Sequence, residues 1–276
     1  MTSLPNVSIV TPTYGHRNLF KLAIINFMQI DYPTNKLEWI IIDEGKEPIK
    51  DLLPNDNRIK YYYFDEKAIL SLYEGYVKKS NEKKKAYKAA QQNNRKQKVI
   101  KKWKPEFTRP FKRIPMGIKR NICAAYATSD YIVHMDDDDY YPRNSVSERI
   151  HALLDKKVNC VACTSWGAFH TGKMISVIYQ LQKGVSFSVG TLAYTKQFWQ
   201  ERRFNTNDRF NEGEKFLKGR ECKIIPWENV IVQLFHQKNE RDVNAFHGEP
   251  NGWHFEKLPD EIFNIICNID PSNIPL

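Results

Sequence analysis

The sequence has no apolar run approaching the roughly 20 residues needed to span a bilayer, and its 276 residues include only five cysteines. The first lack excludes an ordinary membrane-spanning helix. The second excludes a disulfide-stapled scaffold, because Cys123, Cys160, Cys163, Cys222 and Cys267 are odd in number and irregular in spacing. Cys160 and Cys163 do form a C-x-x-C. It lies in the apolar run "VNCVACTSW" with no second Cys/His pair at zinc spacing, so buried thiols are expected there rather than a metal or redox site. The opening "MTSLPNVSIV" has neither the charged stretch nor the long apolar core of a secretion signal. These absences lead to the expectation of a soluble, cytoplasmic chain.

Hydrophobic residues make up 41% of the chain and aromatics 13%, enough for a sizeable core at this length. The net charge of +10 would point to nucleic acid if it were spread over the chain. It is not. Between Glu66 and Ile114 there are 16 Lys/Arg against 4 Asp/Glu, a local balance of +12, and the remainder sums to about −2. The basicity belongs to one segment.

Along the chain, "VSIVTPTYG" reads as a buried strand from Val7 to Val10 stopped by a turn, and "NLFKLAIINFMQI" has helical spacing with Asn18 as its N-cap. "LEWIIIDEG" and "RIKYYYFD" are two further strands. This alternation, with near-continuous apolar strands, predicts an α/β fold whose mainly parallel sheet is flanked by helices. Residues 66–114 break the rhythm. They read as an insertion, basic and mostly helical, with one or two exposed helices before a loop carrying Pro105, Pro110 and Pro115. Then "GIKRNICAAYATSD" and "SVSERIHALL" read as helices, and "YIVHM", "VNCVACTSW", "MISVIY" and "FSVGTLAY" as strands. "KQFWQERRF" reads as a helix and "KIIPWENVIVQLFH" as mostly extended. The expectation is a single domain over 1–276 containing the 66–114 insertion.

The strand "YIVHM" runs straight into four carboxylates, Asp136 to Asp139. Adjacent negative charges repel, so either the run is a solvated acidic turn or it serves something positive. In open parallel sheets, ligands sit beyond the carboxyl ends of the strands. Pro12 to Tyr14, Asp43 with Glu44, and the tetra-Asp all fall at such ends. Clustered carboxylates suit a hard cation such as Mg²⁺ or Mn²⁺, often held by one or two acids while a substrate diphosphate supplies other ligands.

These stretches resemble the family 2, GT-A-fold (Rossmann-like) nucleotide-sugar glycosyltransferases over most of the chain outside the basic segment. "VSIVTPTYGHR" is similar to the family's first strand and turn, and "WIIIDEG" to its second strand end. "GIKRN" resembles its Gly…Arg-Asn helix start, "HMDDDD" its Asp-x-Asp strand end, and "VGTLAYTKQFW…NDRFNEGEKFL" its acceptor-side segment. The resemblance implies a metal-dependent, inverting transfer of a sugar, with a UDP-sugar as the expected donor, to a glycan or other hydroxyl acceptor. It implies a donor site of Pro12, Tyr14 (stacking on the base), Asp43, Glu44, Arg120, Asp136 and Asp137. Asp138 and Asp136 would hold Mn²⁺ or Mg²⁺, with His236 as a third candidate ligand, and Gly190 and Thr191 would line the acceptor side. Lys215 stands where the family's base Asp aligns, which leaves Glu214 first, then Glu212, as candidate catalytic bases, and Glu228 as a third. Gly15 and Glu44 also depart from the family pattern.

Three alternatives remain open on the sequence. One is a catalytically silent nucleotide-sugar or glycan-binding protein of the same fold, kept alive by Lys215. Another is nucleic-acid binding through the basic segment, for which an anionic membrane surface and peripheral attachment is the other candidate. A nucleotidyltransferase is disfavoured, because "TPTYGHR" has one glycine and no Gly-rich phosphate loop. Trp166, Trp199, Trp227 and Trp253 are expected mostly in the core.

Overall fold

The computed structural model describes residues 3–15, 17–93, 107, 109–170, 175–180, 187–206 and 212–235. Its elements in chain order begin with β1 (Val7–Thr13), α1 (Arg17–Met28), β2 (Leu37–Asp43), β3 (Ile59–Tyr63), α2 (Glu66–Asn93) and α3 (Met116–Tyr126). There follow β4 (Tyr131–His134), α4 (Ser145–Lys156), β5 (Cys160–Ala162), β6 (Ser165–His170) and β7 (Ile175–Gln180). The described chain closes with β8 (Ala193–Thr195), α5 (Lys196–Glu201), α6 (Glu212–Leu217), β9 (Lys223–Ile224) and β10 (Val232–Phe235).

Seven strands form one sheet in the order β3-β2-β1-β4-β8-β5-β9. The β3-β2-β1-β4 half is parallel, and β8 is antiparallel to both β4 and β5. Alternate residues of the central strands enter opposite cores, as the pleat requires. Val7, Ile9, Trp39 and Ile41 pack with Phe20 and Phe27 of α1, whereas Val10, Ile40 and Ile42 pack with Cys123 and Ala124 of α3. Helices cover both faces, which is why β1 and β2 are buried at every position. Trp39 anchors the α1 face: its ring stacks on Phe20 and Phe27 at 5.7 and 4.8 Å, and its Nε1–H donates to the Thr11 hydroxyl.

Register places three strand ends side by side. Thr13 pairs with Asp43 and Val10 with His134, so the segments after β1, β2 and β4 emerge at one edge. The mainly parallel α/β architecture and the order of elements agree with the sequence expectation.

Four local differences have identifiable causes. Helix α1 already includes Arg17, so Asn18 lies inside its first turn and is not its N-cap. "FSVGTLAY" is not one strand: Val189–Thr191 forms a 3-10 turn around Gly190, and only Ala193–Thr195 pairs. "VNCVACTSW" divides between two sheets, since β5 ends at Ala162 and β6 starts at Ser165. β6 belongs to a second, three-stranded sheet ordered β10-β6-β7, which local patterning gave no sign of.

Helix α2 runs 28 residues. Its first turns dock through Ile69, which packs with Ile114 and Ile118 and is flanked by Leu72, Tyr76, Phe107 and Phe111. Beyond these, Lys78, Lys79, Lys83, Lys84, Lys85 and Lys88 are exposed. Among the described residues, no helix is long and apolar enough to cross a membrane. Trp166, Trp199 and Trp227 are buried, as expected, and Trp253 lies outside the described residues. Cys160 and Cys163 are free thiols that enter opposite cores, buried as the sequence expects.

Candidate functional site

The four aspartates after β4 divide by role. Asp137 and Asp139 are buried, while Asp136 and Asp138 are only half-buried. Asp137 turns inward to accept a hydrogen bond from the Thr13 hydroxyl, which ties the acidic loop to the end of β1. Asp139 accepts from the backbone N–H of Leu234 at 2.9 Å, and its own carbonyl accepts from the Asn26 amide at 2.8 Å. Burial, reinforced by Asp138 and Asp136, pushes the Asp139 carboxyl well above the usual carboxylate range. Two acids therefore brace the loop and two line the open side.

Arg120, from α3, is the hub beneath them. Its Nη1 donates to Asp136 Oδ1 at 3.1 Å and its Nε to Glu212 Oε1 at 3.1 Å. Gly117 lets α3 approach the Asn205 segment and the start of α6: a Cβ there would lie 1.8 Å from the Asn205 carbonyl oxygen and 3.3 Å from Glu212 Cβ. Burial works against the Arg120 charge, but Asp136 and Glu212 more than offset it and hold the guanidinium protonated. Nη1 also lies 2.9 Å from His134 Nδ1. Arginine only donates, so Nδ1 is the acceptor and Nε2–H donates to the Tyr194 hydroxyl at 2.8 Å. Burial, then Arg120 and Arg149, lowers the His134 pKa well below its ordinary value, in agreement with a neutral ring.

A second buried guanidinium, Arg149 of α4, fastens the strand end from behind. It donates to the carbonyls of His134 at 2.8 Å and Gly190 at 3.3 Å, and to Ser145. Burial pulls its pKa down to about 10.

At the ends of β1 and β2 the chain turns tightly. Gly15 has φ of 65°, and a Cβ on Gly45 would lie 2.8 Å from the Gly15 nitrogen. Pro12 is buried in β1 opposite Ile42. Tyr14 is half-buried, with the Arg113 guanidinium 3.3 Å above its ring and Lys119 Nζ at 5.9 Å. Asp43 and Glu44 point inward. Asp43 accepts from the N–H groups of Gly45 and Ile49 and from the Tyr61 hydroxyl. Glu44 accepts from Ile114 N–H at 2.6 Å and pairs with Lys119 at 2.9 Å. Both carboxyls hold the turn together, a use that sequence position alone did not distinguish from ligand binding.

On the opposite wall, Gly190 abuts Asp136, whereas the Thr191 hydroxyl is taken up internally, donating to Ser188 and accepting from Cys163 N–H. A Cβ on Gly190 would meet the Tyr141 hydroxyl at 2.8 Å and Asp136 Oδ2 at 3.0 Å. Gly190→Ala is therefore expected to cost about 1–3 kcal/mol. Chemical denaturation of the variant checks this, and an unchanged midpoint would contradict the close approach. On α6, Glu212 is buried at the site and Glu214 is exposed. Two residues along a helix separate them by about 200°, so they cannot share a face. Lys215 and Glu228 are exposed as well. His236 lies outside the described residues. Arg113 and Arg149 were missed by sequence reasoning, and nothing local marks either one.

Among the described residues, no three His, Cys, Asp or Glu side chains converge to hold a metal by themselves. Two half-buried carboxylates at a strand end nevertheless form the oxygen donor set that a hard cation takes when a diphosphate completes its shell.

The architecture is that of the GT-A glycosyltransferases. It is similar to the mannosyltransferase PcManGT from Pyrobaculum calidifontis in complex with GDP-Man and Mn²⁺, with 16% identity and TM-score 0.51 over 88% of this chain and 60% of that one. It is also similar to S. aureus TarS 1-349, with 10% identity and TM-score 0.52 over 83% of this chain and 60% of that one. The same TarS fragment in complex with UDP-GlcNAc gives 10% identity and TM-score 0.51, over 95% of this chain and 65% of that one. The chain thus spans about 60% of the length of these neighbours. No curated protein matches. The family model described as "Glycosyl transferase family 2" matches residues 89–221, just under half of the chain.

Proposed function

We propose that the protein transfers a sugar from a nucleoside-diphosphate sugar to an acceptor hydroxyl, with inversion and with Mn²⁺ or Mg²⁺ bound. A UDP-sugar is the expected donor. The observation that carries this reading is the Arg120 hub, which joins a donor-side acid, Asp136, to a carboxylate on the acceptor-side helix, Glu212.

Asp138 and Asp136 would hold the cation, which supplies charge neutralisation for the departing diphosphate. Tyr14 offers a stacking face to the base, and Arg120 holds Asp136 in place beside it. The turn made by Pro12, Asp43 and Glu44 shapes the donor side, and Asp137 keeps the acidic loop against it. Glu212 is the base in this account: Arg120 engages Oε1, and Oε2 takes the proton as the acceptor oxygen attacks the anomeric carbon from the face opposite the diphosphate. Glu214 would then lie outside the chemistry. Gly190 lets the acceptor-side backbone pass close to Asp136 and Tyr141. The 1–276 chain is read as one domain, with the exposed lysines of α2 as the surface for an acidic acceptor or an anionic membrane.

Asp138→Ala tests the metal assignment at the principal candidate ligand. Mn²⁺-dependent nucleotide binding should weaken by at least about tenfold while the melting temperature holds. Equal binding by wild type and variant would remove Asp138 from the site.

A further inference from the structure

Cys160 and Cys222 come from distant parts of the chain and meet where the main sheet ends. Strands β5 and β9 run parallel, with Val161 opposite Lys223 and Ala162 opposite Ile224. One step back along both strands places Cys160 beside Cys222. Paired residues of a parallel ladder point to the same face. Both thiols accordingly enter the core on the α3 side: Cys160 belongs to it and Cys222 packs against it. Neighbouring strands stand about 4.7–4.9 Å apart, inside the range of about 4.4–6.8 Å that a disulfide spans between Cα atoms. Cys163 is no alternative partner for Cys160, because it enters the opposite core.

The two thiols are free and differ in access: Cys160 is wholly buried, whereas Cys222 is partly exposed. Burial, then its interaction with the neighbouring Cys222 thiol, pushes the Cys160 thiol well above its ordinary value, and Arg220 acts in the opposite direction. Arg220 also anchors the approach to β9. Its guanidinium carbon stands 3.2 Å from the Phe198 ring centroid, and its Nη2 pairs with Glu201 at 3.1 Å. Cys222 follows two residues later, so its backbone is held against β5. Strand β9 itself is an exposed edge of two residues.

We propose that Cys160 and Cys222 are a disulfide-forming pair, closed reversibly by a low-molecular-weight disulfide such as oxidised glutathione. The Cys222 thiolate, at the surface, attacks one sulfur of that disulfide and releases the first small thiol. Cys160 then attacks the Cys222 sulfur of the mixed disulfide and releases the second. Two protein thiols thus pass two protons and two electrons to the small disulfide, which becomes two thiols. The new bond fastens β9 to β5 and closes a loop that carries Gly190, Thr191 and all of α6 with Glu212. The pair lies outside the candidate site, so this inference stands apart from the sugar-transfer reading.

The test is incubation of the folded protein with oxidised glutathione, then alkylation of the remaining thiols and peptide mapping by mass spectrometry. The expected product is a Cys160–Cys222 peptide pair, lost on treatment with dithiothreitol and absent from Cys222→Ser. The cross-link should raise the melting temperature of wild type by about 5 °C or more, with no such rise in Cys222→Ser. Unmodified thiols at both positions overturn the proposal. So does Cys222 found only as a glutathione adduct, or joined instead to Cys123, Cys163 or Cys267. A Cys160–Cys222 bond that leaves the melting temperature unchanged or lower would overturn the claim that it fastens β9. Mapping of wild type reads the bond directly, so the pairing is decided even where Cys222→Ser does not fold.

Discussion

Arg120→Met is expected to destabilise the protein by about 3–5 kcal/mol. The substitution keeps most of the side-chain volume and removes the cation that two carboxylates share: Asp136 and the buried Glu212 each lie 3.1 Å from the guanidinium. Their attraction to Arg120 offsets the cost of taking all three groups out of water, so removing the cation leaves that cost uncompensated. It also strips the donor from His134 Nδ1. Adding Glu212→Gln to Arg120→Met should recover part of the loss, since one stranded charge disappears, and the two effects should be clearly non-additive. Urea denaturation of the two single variants and the double variant measures this. A loss below about 1 kcal/mol for Arg120→Met would mean that the network behaves like an exposed ion pair.

Glu212→Gln alone gives the second large effect. The amide oxygen can still accept from Arg120 Nε, so the fold and nucleotide binding should persist, while the group proposed to take the acceptor proton is lost. Sugar transfer should fall by about 10²–10⁴-fold. Glu214→Gln is the informative contrast, since that side chain is exposed on the other side of α6. A greater loss for Glu214→Gln than for Glu212→Gln would reinstate the order read from the sequence.

The contrast also marks what the sequence could and could not convey. Apolar runs that stop at polar or acidic residues made β1, β2 and β4 legible together with their ends, because strand burial and strand termination are local properties. The tetra-Asp was legible as a cluster but not as two pairs. Which acids face inward is decided by Thr13, 124 residues from Asp137 in the chain, and by Leu234, 95 residues beyond Asp139. Glu214 ranked above Glu212 on spacing relative to a motif, whereas the proposal of Glu212 rests on which face of α6 meets Arg120, 92 residues upstream of Glu212. Asp43 and Glu44 sit where ligand-binding acids would be expected. Their donors, Tyr61 and Lys119, come from other elements and turn both carboxyls into supports for the turn. Long-range pairing decided each of these, and residue pattern alone does not encode it.

The most direct test of the account is calorimetric titration of UDP and GDP, with and without Mn²⁺, on wild type and on Asp136→Ala/Asp138→Ala. The account predicts binding of a nucleoside diphosphate by wild type that requires the metal and disappears in the double variant. Folded wild type that binds neither nucleotide under any of these conditions would contradict it.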